Sequence, residues 1–73
     1  MKKETVNHPN HYNASKIEAI AAIEAWKANF NIGNAIKYLS RYKYKHKRRA
    51  KQIEDLKKAA WYIAREIENL EKL

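Results

Sequence analysis

Four polar side chains follow one face of a predicted helix in the middle of the chain. Asn34, Lys37, Tyr38 and Arg41 occupy positions i, i+3, i+4 and i+7, a spacing that aligns side chains along one side of a helix. Their amide, ammonium and guanidinium groups are donors that hold phosphate oxygens. Gly33 precedes them at the helix N-terminus, where unpaired amides attract anions. The sequence therefore predicts a phosphate site. The alternative is that Gly33 only permits close helix packing and that Lys37 and Arg41 are ordinary surface charges.

A second set of candidate ligands lies in the last predicted helix. Trp61 falls roughly 130° from the centre of that helix's apolar side, with Glu54 and Lys58 beside it. Asp55 and Tyr62 lie further round. A large ring in this position needs a cover, either another subunit, which we favour, or a stacked nucleobase. The simpler interpretation of the charges is a set of exposed ion pairs, Glu54 with Lys58 and Asp55 with Lys58 or Lys51.

The N-terminal stretch contributes two histidines. His8 and His11 flank Pro9 and are followed by Tyr12, and Pro9 holds His8 out of the helical region. These side chains can donate hydrogen bonds to an anion or transfer a proton near neutral pH. Because no convergent carboxylate or further histidine stands nearby, we expect no metal site.

The chain is strongly basic, with 16 Lys and Arg against 8 Asp and Glu and a net charge of +8. An anionic partner is therefore expected. The basic residues concentrate in one stretch without an acidic residue: Arg41, Lys43, Lys45, Lys47, Arg48, Arg49 and Lys51. That stretch is either a solvated loop, a non-specific nucleic-acid surface or part of a phosphate site. Because the chain has one glycine and no GxxxxGK[ST] sequence, a P-loop is excluded.

The elements that must position these residues are helices, because Ala, Lys, Glu, Ile and Leu dominate and the chain has one Gly and one Pro. We predict a single all-α domain over residues 1–73, with an N-terminal arm over 1–14 and a basic turn over 43–50. The helices are predicted over about 15–28, 31–43 and 50–72. We expect no second domain, and residues 1–73 show no internal repeat.

Two local signals set the predicted helix starts. Ser15 followed by Glu18 is a capping box for the first helix. Asn31 is predicted to cap the second helix, with Phe30 packed against Ala35 as a hydrophobic staple.

Each predicted helix carries an apolar stripe. In the first helix it comprises Ile17, Ile20, Ile23 and Trp26. In the second it comprises Ile32, Ala35, Ile36 and Leu39. In the third, an apolar seam repeats in steps of three and four: Ile53, Leu56, Ala60, Ile63, Ile67 and Leu70. The seam resembles that of a coiled coil and can pack within the chain or between chains.

A chain this short without cysteine has little core, so we expect a helical homo-oligomer. The N-terminus lacks the apolar stretch of a signal peptide or a membrane span. The expected location is the cytoplasm of the producing or infected bacterial cell.

Four motifs in order resemble a small phage protein family over roughly residues 6–70. They are His8-Pro9-Asn10-His11-Tyr12, Ile17-Glu18, Gly33 to Arg41 and Glu54 to Tyr62. The family is usually labelled nucleotide kinase or domain of unknown function, and its characterised relative is a podoviral deoxynucleoside monophosphate kinase without a P-loop. Members commonly have glycines between the last two helices and one before the Ile-Glu pair, where this chain has Tyr44 to Lys51 and Lys16.

The resemblance implies a nucleotide site built from the matching positions: His8, His11, Tyr12, Asn34, Lys37, Tyr38, Arg41, Lys58, Trp61 and Tyr62. The favoured function is capture of a nucleotide or cyclic nucleotide between subunits, without a required cofactor, sequestering the ligand against nucleotide-signalled host defence. The alternative is a kinase that uses ATP and Mg²⁺, with Glu54 and Asp55 near the metal and His8 or His11 assisting proton transfer. The third possibility is non-specific nucleic-acid binding through the basic stretch.

Overall fold

The computed structural model describes residues 17–73, which form three α-helices: α1 (Ala19–Ala25), α2 (Phe30–Lys45) and α3 (Arg49–Glu71). No strand occurs in this part of the chain, so the all-α prediction is confirmed there. The predicted arm over 1–14, including His8, His11 and Tyr12, lies outside the described residues. Across residues 17–73, no helix is both long enough and apolar enough to span a bilayer.

The first helix is much shorter than the predicted range of 15–28. Glu18 adopts an extended conformation and precedes the helix as its N-cap, without a side-chain capping bond. Glu18 therefore does not occupy the third helical position that the predicted capping box requires, and that prediction is wrong. Ser15, the other half of the box, lies outside the described residues.

The end of α1 is set by a left-handed backbone conformation that the residue type at this position does not predict. Lys27 takes a left-handed conformation with φ of 53°. Its amide donates to the carbonyl of Glu24 at 3.1 Å, and the amide of Ala28 donates to the carbonyl of Ile23 at 3.0 Å. This is the hydrogen-bond pattern of a Schellman motif, which ends a helix even though glycine is the usual residue there.

The second helix begins earlier than predicted. Asn29, not Asn31, is its N-cap, and the Asn29 side chain accepts a hydrogen bond from the amide of Ile32 at 2.9 Å. Phe30 is consequently the first helical residue and not the residue before the cap. The predicted staple with Ala35 is therefore wrong, and the Phe30 ring instead packs edge-on against Tyr62 with centroids 5.9 Å apart.

A turn separates α2 from α3, but it is shorter than the predicted range of 43–50. Only residues 46–48 separate α2 from α3, and Gln52 Nε2 donates to the carbonyl of His46 at 2.8 Å across the turn. The predicted bounds of α3 hold to within one residue at each end. α2 and α3 thus form an antiparallel hairpin.

The face that α3 turns toward α2 is largely polar. Asp55 and Ala59 are buried, and Tyr62 and Glu66 are half-buried. These four residues lie about 90° around α3 from the apolar seam, at 100° per residue. The hairpin therefore forms through complementary polar groups, small residues and aromatic rings, and the large side chains of the seam remain between 37% and 59% exposed.

The predicted apolar stripes are mostly not buried within residues 17–73. Leu39 is 47% exposed, although Ala35 is buried and Ile32 and Ile36 are half-buried. In the first stripe the exposed members are Ile17, Ile20 and Trp26. The buried apolar residues of the described chain are three alanines, Ala19, Ala35 and Ala59. A core of this size does not explain a stable monomer.

Gly33 is buried on the side of α2 that faces Ile23 of α1. Its amide is already bonded to the carbonyl of Asn29 at 2.7 Å, so it does not supply the free anion-binding donor that the sequence suggested. A Cβ at Gly33 would meet Ile23 Cγ2 at 3.5 Å, an ordinary van der Waals contact.

We expect Gly33→Ala to raise the free energy of unfolding by roughly 0.5–1 kcal/mol, because alanine is the better helix former. Thermal unfolding followed by circular dichroism measures this change, and ligand affinity should stay unchanged. A loss of stability would mean that α1 packs closer to α2 than the 3.5 Å contact indicates.

Candidate functional site

A buried carboxylate joins the two helices of the hairpin near the turn. Asp55 is 1% exposed and Arg41 is 8% exposed. Arg41 Nε donates to Asp55 Oδ2 at 3.3 Å, and His46 Nε2 lies 3.2 Å from the same oxygen. Asp55 therefore serves the packing of the hairpin, and the helix pairs predicted for it with a neighbouring lysine do not form.

Three cationic groups surround the ring of Tyr38. Lys37 Nζ lies 4.8 Å from the ring centroid, Arg41 Cζ lies 4.7 Å away and Lys58 Nζ lies 5.4 Å away. All three distances fall within the range of cation–π contact. Lys37 and Arg41 come from α2, whereas Lys58 comes from α3, so the hairpin brings together cations that are distant in sequence.

The charges around Tyr38 are unevenly compensated. Arg41 shares its charge with Asp55, as described above. Lys37 and Lys58 form no ion pair with any carboxylate of residues 17–73. Within the described residues, no carboxylate neutralises these two ammonium groups, so they can bind an anion. Their cation–π contacts with Tyr38 place them on one side of the hairpin.

Tyr62 links this cationic cluster to the rest of the hairpin. Its ring stacks on Tyr38 with centroids 6.1 Å apart and planes 13° apart. It also meets Trp61 edge-on at 5.1 Å, in addition to its contact with Phe30. Paired aromatic rings of this geometry stabilise a fold beyond the area that they bury.

Trp61 is the exposed aromatic residue beside the cluster. It is 61% exposed and follows Lys58 by three residues, which places the two side chains on one side of α3. Trp61 lines a shallow hollow of about 220 Å³ with Ala64, Arg65 and Glu68. An exposed indole next to cations that have no carboxylate partner in residues 17–73 suits the stacking of a planar base.

A second polar contact fastens the far end of the hairpin. Glu66 accepts hydrogen bonds from Asn29 Nδ2 at 2.9 Å and from Asn31 Nδ2 at 3.2 Å. Because Asn29 also caps α2, one residue fixes both the start of the helix and its contact with α3. Asn31, which was predicted to cap α2, instead donates a hydrogen bond to α3.

The structure brings six of the predicted site residues into one connected set of contacts: Lys37, Tyr38, Arg41, Lys58, Trp61 and Tyr62. Asn34 does not join them through its amide, which donates to the carbonyl of Phe30 at 2.9 Å. Glu54 points to Lys51, with Nζ to Oε1 at 3.6 Å, and not to Lys58. His8, His11 and Tyr12 are not among the described residues.

The carboxylates proposed for Mg²⁺ do not converge on a common point. Asp55 is engaged by Arg41 and His46, while Glu54 lies on the surface beside Lys51. Residues 17–73 contain no cluster of three or more His, Cys, Asp or Glu side chains that could hold a metal ion.

Sequence reasoning missed His46. It stood inside the basic stretch, which draws attention to its lysines and arginines. Residues equidistant from the turn face one another in an antiparallel hairpin, and Arg41 and Asp55 lie seven residues on either side of Arg48. Given the position of the turn, this spacing could have predicted the pairing of Arg41 with Asp55. A contact of His46 with the same carboxylate would then have been a reasonable prediction.

The comparisons with known proteins bear on family and not on activity. The model of a family described as a protein of unknown function, DUF3310, matches residues 6–64. The chain belongs to the DUF3310 family. The matched segment includes all of α1 and α2 and the part of α3 that carries Asp55, Lys58 and Tyr62.

No curated protein matches the chain, and no solved structure matches it. The DUF3310 description names no reaction, so the relation to a phage kinase stays a prediction from the sequence motifs. The function of this DUF3310 member must therefore be argued from the hairpin itself.

Proposed function

We propose that the protein captures a nucleotide or cyclic nucleotide as a homo-oligomer, holding phosphate with Lys37 and Lys58 and the base against Trp61. One observation carries the proposal. Two lysines from different helices lie within 4.8 Å and 5.4 Å of the same tyrosine ring, without a carboxylate partner in residues 17–73. An exposed indole lies beside them. Phosphate and a planar base are the two chemical features that such a surface recognises together.

Binding without turnover fits the described residues better than phosphoryl transfer does. A kinase needs groups that position Mg²⁺ on the phosphates, and Asp55 and Glu54 are already paired within the chain. Sequestration of the ligand requires only affinity and a fixed stoichiometry. We therefore retain nucleotide capture as the favoured function, with Arg41 reassigned to a mainly structural role and Trp61 assigned to the base and not to a subunit interface.

The test is calorimetric titration of the full chain with nucleoside monophosphates, triphosphates and cyclic dinucleotides. For the ligand that binds most tightly, Lys58→Ala should weaken affinity about 10-fold, since a charged hydrogen bond to phosphate contributes on the order of 1.5–3 kcal/mol. Lys37→Ala should act similarly. Lys57→Ala is the matched control, because Lys57 neighbours Lys58 on the same helix and has no contact with Tyr38.

Equal losses in the Lys57 and Lys58 variants would indicate general charge attraction and contradict the proposed site. Native mass spectrometry with ATP, Mg²⁺ and a monophosphate gives the second readout. A ligand retained with unchanged mass supports capture. A phosphate added to the monophosphate would establish the kinase alternative.

Non-specific nucleic-acid binding is the second candidate, favoured by the exposure of the basic turn. The exposed basic side chains from the end of α2 to the start of α3 are Lys43, Lys45, Lys47, Arg48, Arg49 and Lys51. Such binding would weaken steeply with salt and vary little with base sequence. Charge removal at Lys45 and Lys47 would then weaken it and reduce its salt dependence, while Lys37→Ala would have a smaller effect.

A further inference from the structure

The large side chains of the apolar seam remain partly exposed within residues 17–73. Its five large side chains are between 37% and 59% exposed, because α3 turns a different face toward α2. Leu39 of α2, 47% exposed, lies on the same side of the hairpin by helical rotation. A monomeric protein rarely leaves a continuous apolar row of this length in water.

We propose that a second copy of the chain covers the seam, with the two α3 helices packed antiparallel about a twofold axis. The alternation of three and four residues is the spacing that lets two helices interlock along their length. In the register that covers every seam residue, Ile53 meets the partner's Leu70. Leu56 then meets the partner's Ile67, and Ala60 meets the partner's Ile63.

Charge along α3 selects the antiparallel orientation. Residues 65–72 contain three glutamates with Arg65 and Lys72, a net charge of −1, whereas residues 41–51 contain seven basic residues and no acidic one. An antiparallel pair places each acidic end beside the partner's basic turn. A parallel pair would bring the two basic turns together and set Glu66 against the partner's Glu71 across the seam, which costs stability.

The small core of the single chain argues that a second copy covers the seam permanently, and not a partner that binds only transiently. The buried apolar side chains of the described chain are alanines, so one hairpin alone offers little hydrophobic stabilisation. A twofold interface uses the same surface on both subunits and doubles every favourable contact. This proposal concerns the side of α3 away from Trp61 and does not rest on nucleotide binding.

The first test measures the mass of the full chain by light scattering after gel filtration. The wild-type protein should have at least twice the mass of one chain. Ile63→Lys should raise the dissociation constant by roughly 100-fold, because each dimer loses two buried isoleucines and gains two buried charges. Trp61→Lys is the matched control, since it makes the same kind of change on the opposite side of the helix and should leave the mass unchanged.

A monomeric wild-type protein would overturn the proposal. So would dissociation by Trp61→Lys combined with an unchanged mass for Ile63→Lys, because the interface would then lie on the Trp61 side. The chain contains no cysteine, so cysteine cross-linking provides a test that does not depend on how well the lysine variant folds.

Leu56→Cys and Ile67→Cys are prepared separately, mixed and oxidised. The antiparallel register predicts a disulfide between the two different variants and little cross-linking of either variant with itself. Self-linking of each variant would show a parallel pair and overturn the orientation. Absence of any cross-link in the mixture would overturn the interface itself.

Discussion

Replacement of Asp55 by alanine should lower the free energy of unfolding by about 3 kcal/mol, because it strands a buried guanidinium without its counter-charge. Asp55 is 1% exposed, and its Oδ2 atom lies 3.3 Å from Arg41 Nε and 3.2 Å from His46 Nε2. For a domain of this size, the melting temperature should fall by on the order of 15 °C. Thermal and urea unfolding followed by far-ultraviolet circular dichroism measure the loss.

Glu54→Ala is the matched control for Asp55→Ala. The two carboxylates are neighbours on α3, but Glu54 lies on the surface, with a 3.6 Å contact to Lys51. Its removal should change stability by about 0.5 kcal/mol or less. Both variants must be compared at one protein concentration, since assembly adds to apparent stability. Similar losses in the two variants would show that the buried ion pair does not hold the hairpin together.

Asp55→Asn separates the charge of the side chain from its shape. Asparagine retains an oxygen that can accept from Arg41 Nε, but it removes the negative charge. An intermediate loss is expected, because charged hydrogen bonds are stronger than neutral ones. A loss as large as that of Asp55→Ala would assign the whole effect to charge.

The fold could be predicted from the sequence at the level of helices because their boundaries depend on local signals. Ala, Lys and Glu set the helical class, and repulsion within residues 41–51 located the turn before α3. The start of α2 was misplaced by two residues because Asn29 and Asn31 are both good caps. Both side chains also donate to Glu66 of α3, a contact across 37 and 35 residues that local sequence signals do not contain.

The packing could not be predicted by the rule that apolar stripes face their nearest neighbour in the chain. Here α3 uses Asp55, Ala59 and Tyr62 against α2 and leaves Ile63 and Ile67 exposed. Hydrophobic periodicity identifies which face needs a partner, but it does not say whether that partner is in the same chain. In α3, the face that carries Asp55 packs against α2 of the same chain, whereas the face that carries Ile63 and Ile67 stays exposed.

Side chains that share one helical row can also have different partners, and this affected the prediction of the site. Lys37 and Arg41 share a helical row in the sequence, so both were assigned to phosphate. The structure separates them, because Arg41 turns toward Asp55 while Lys37 lies by Tyr38 without an acidic partner in the described chain. Arg41→Ala is consequently a poor test of ligand binding, since it would also remove the buried ion pair.

Replacement of Tyr62 by alanine should have the second large effect, a loss of roughly 3 kcal/mol in the free energy of unfolding. Its ring contacts Tyr38 at 6.1 Å, Phe30 at 5.9 Å and Trp61 at 5.1 Å. Truncation removes all three contacts and the stacking that orients Tyr38 beneath Lys37 and Lys58. Thermal unfolding measures stability, and near-ultraviolet circular dichroism reports the loss of ordered aromatic packing.

Tyr62→Phe and Trp61→Ala are the two controls for Tyr62→Ala. Phenylalanine keeps the ring and its stacking, so Tyr62→Phe should stay within about 0.5 kcal/mol of the wild-type protein. Trp61→Ala removes a larger ring that is 61% exposed, so the loss should be less than about 1 kcal/mol. A Trp61 loss equal to that of Tyr62 would show that the assembled protein buries Trp61, which would place an interface on the side of α3 that we assign to the ligand.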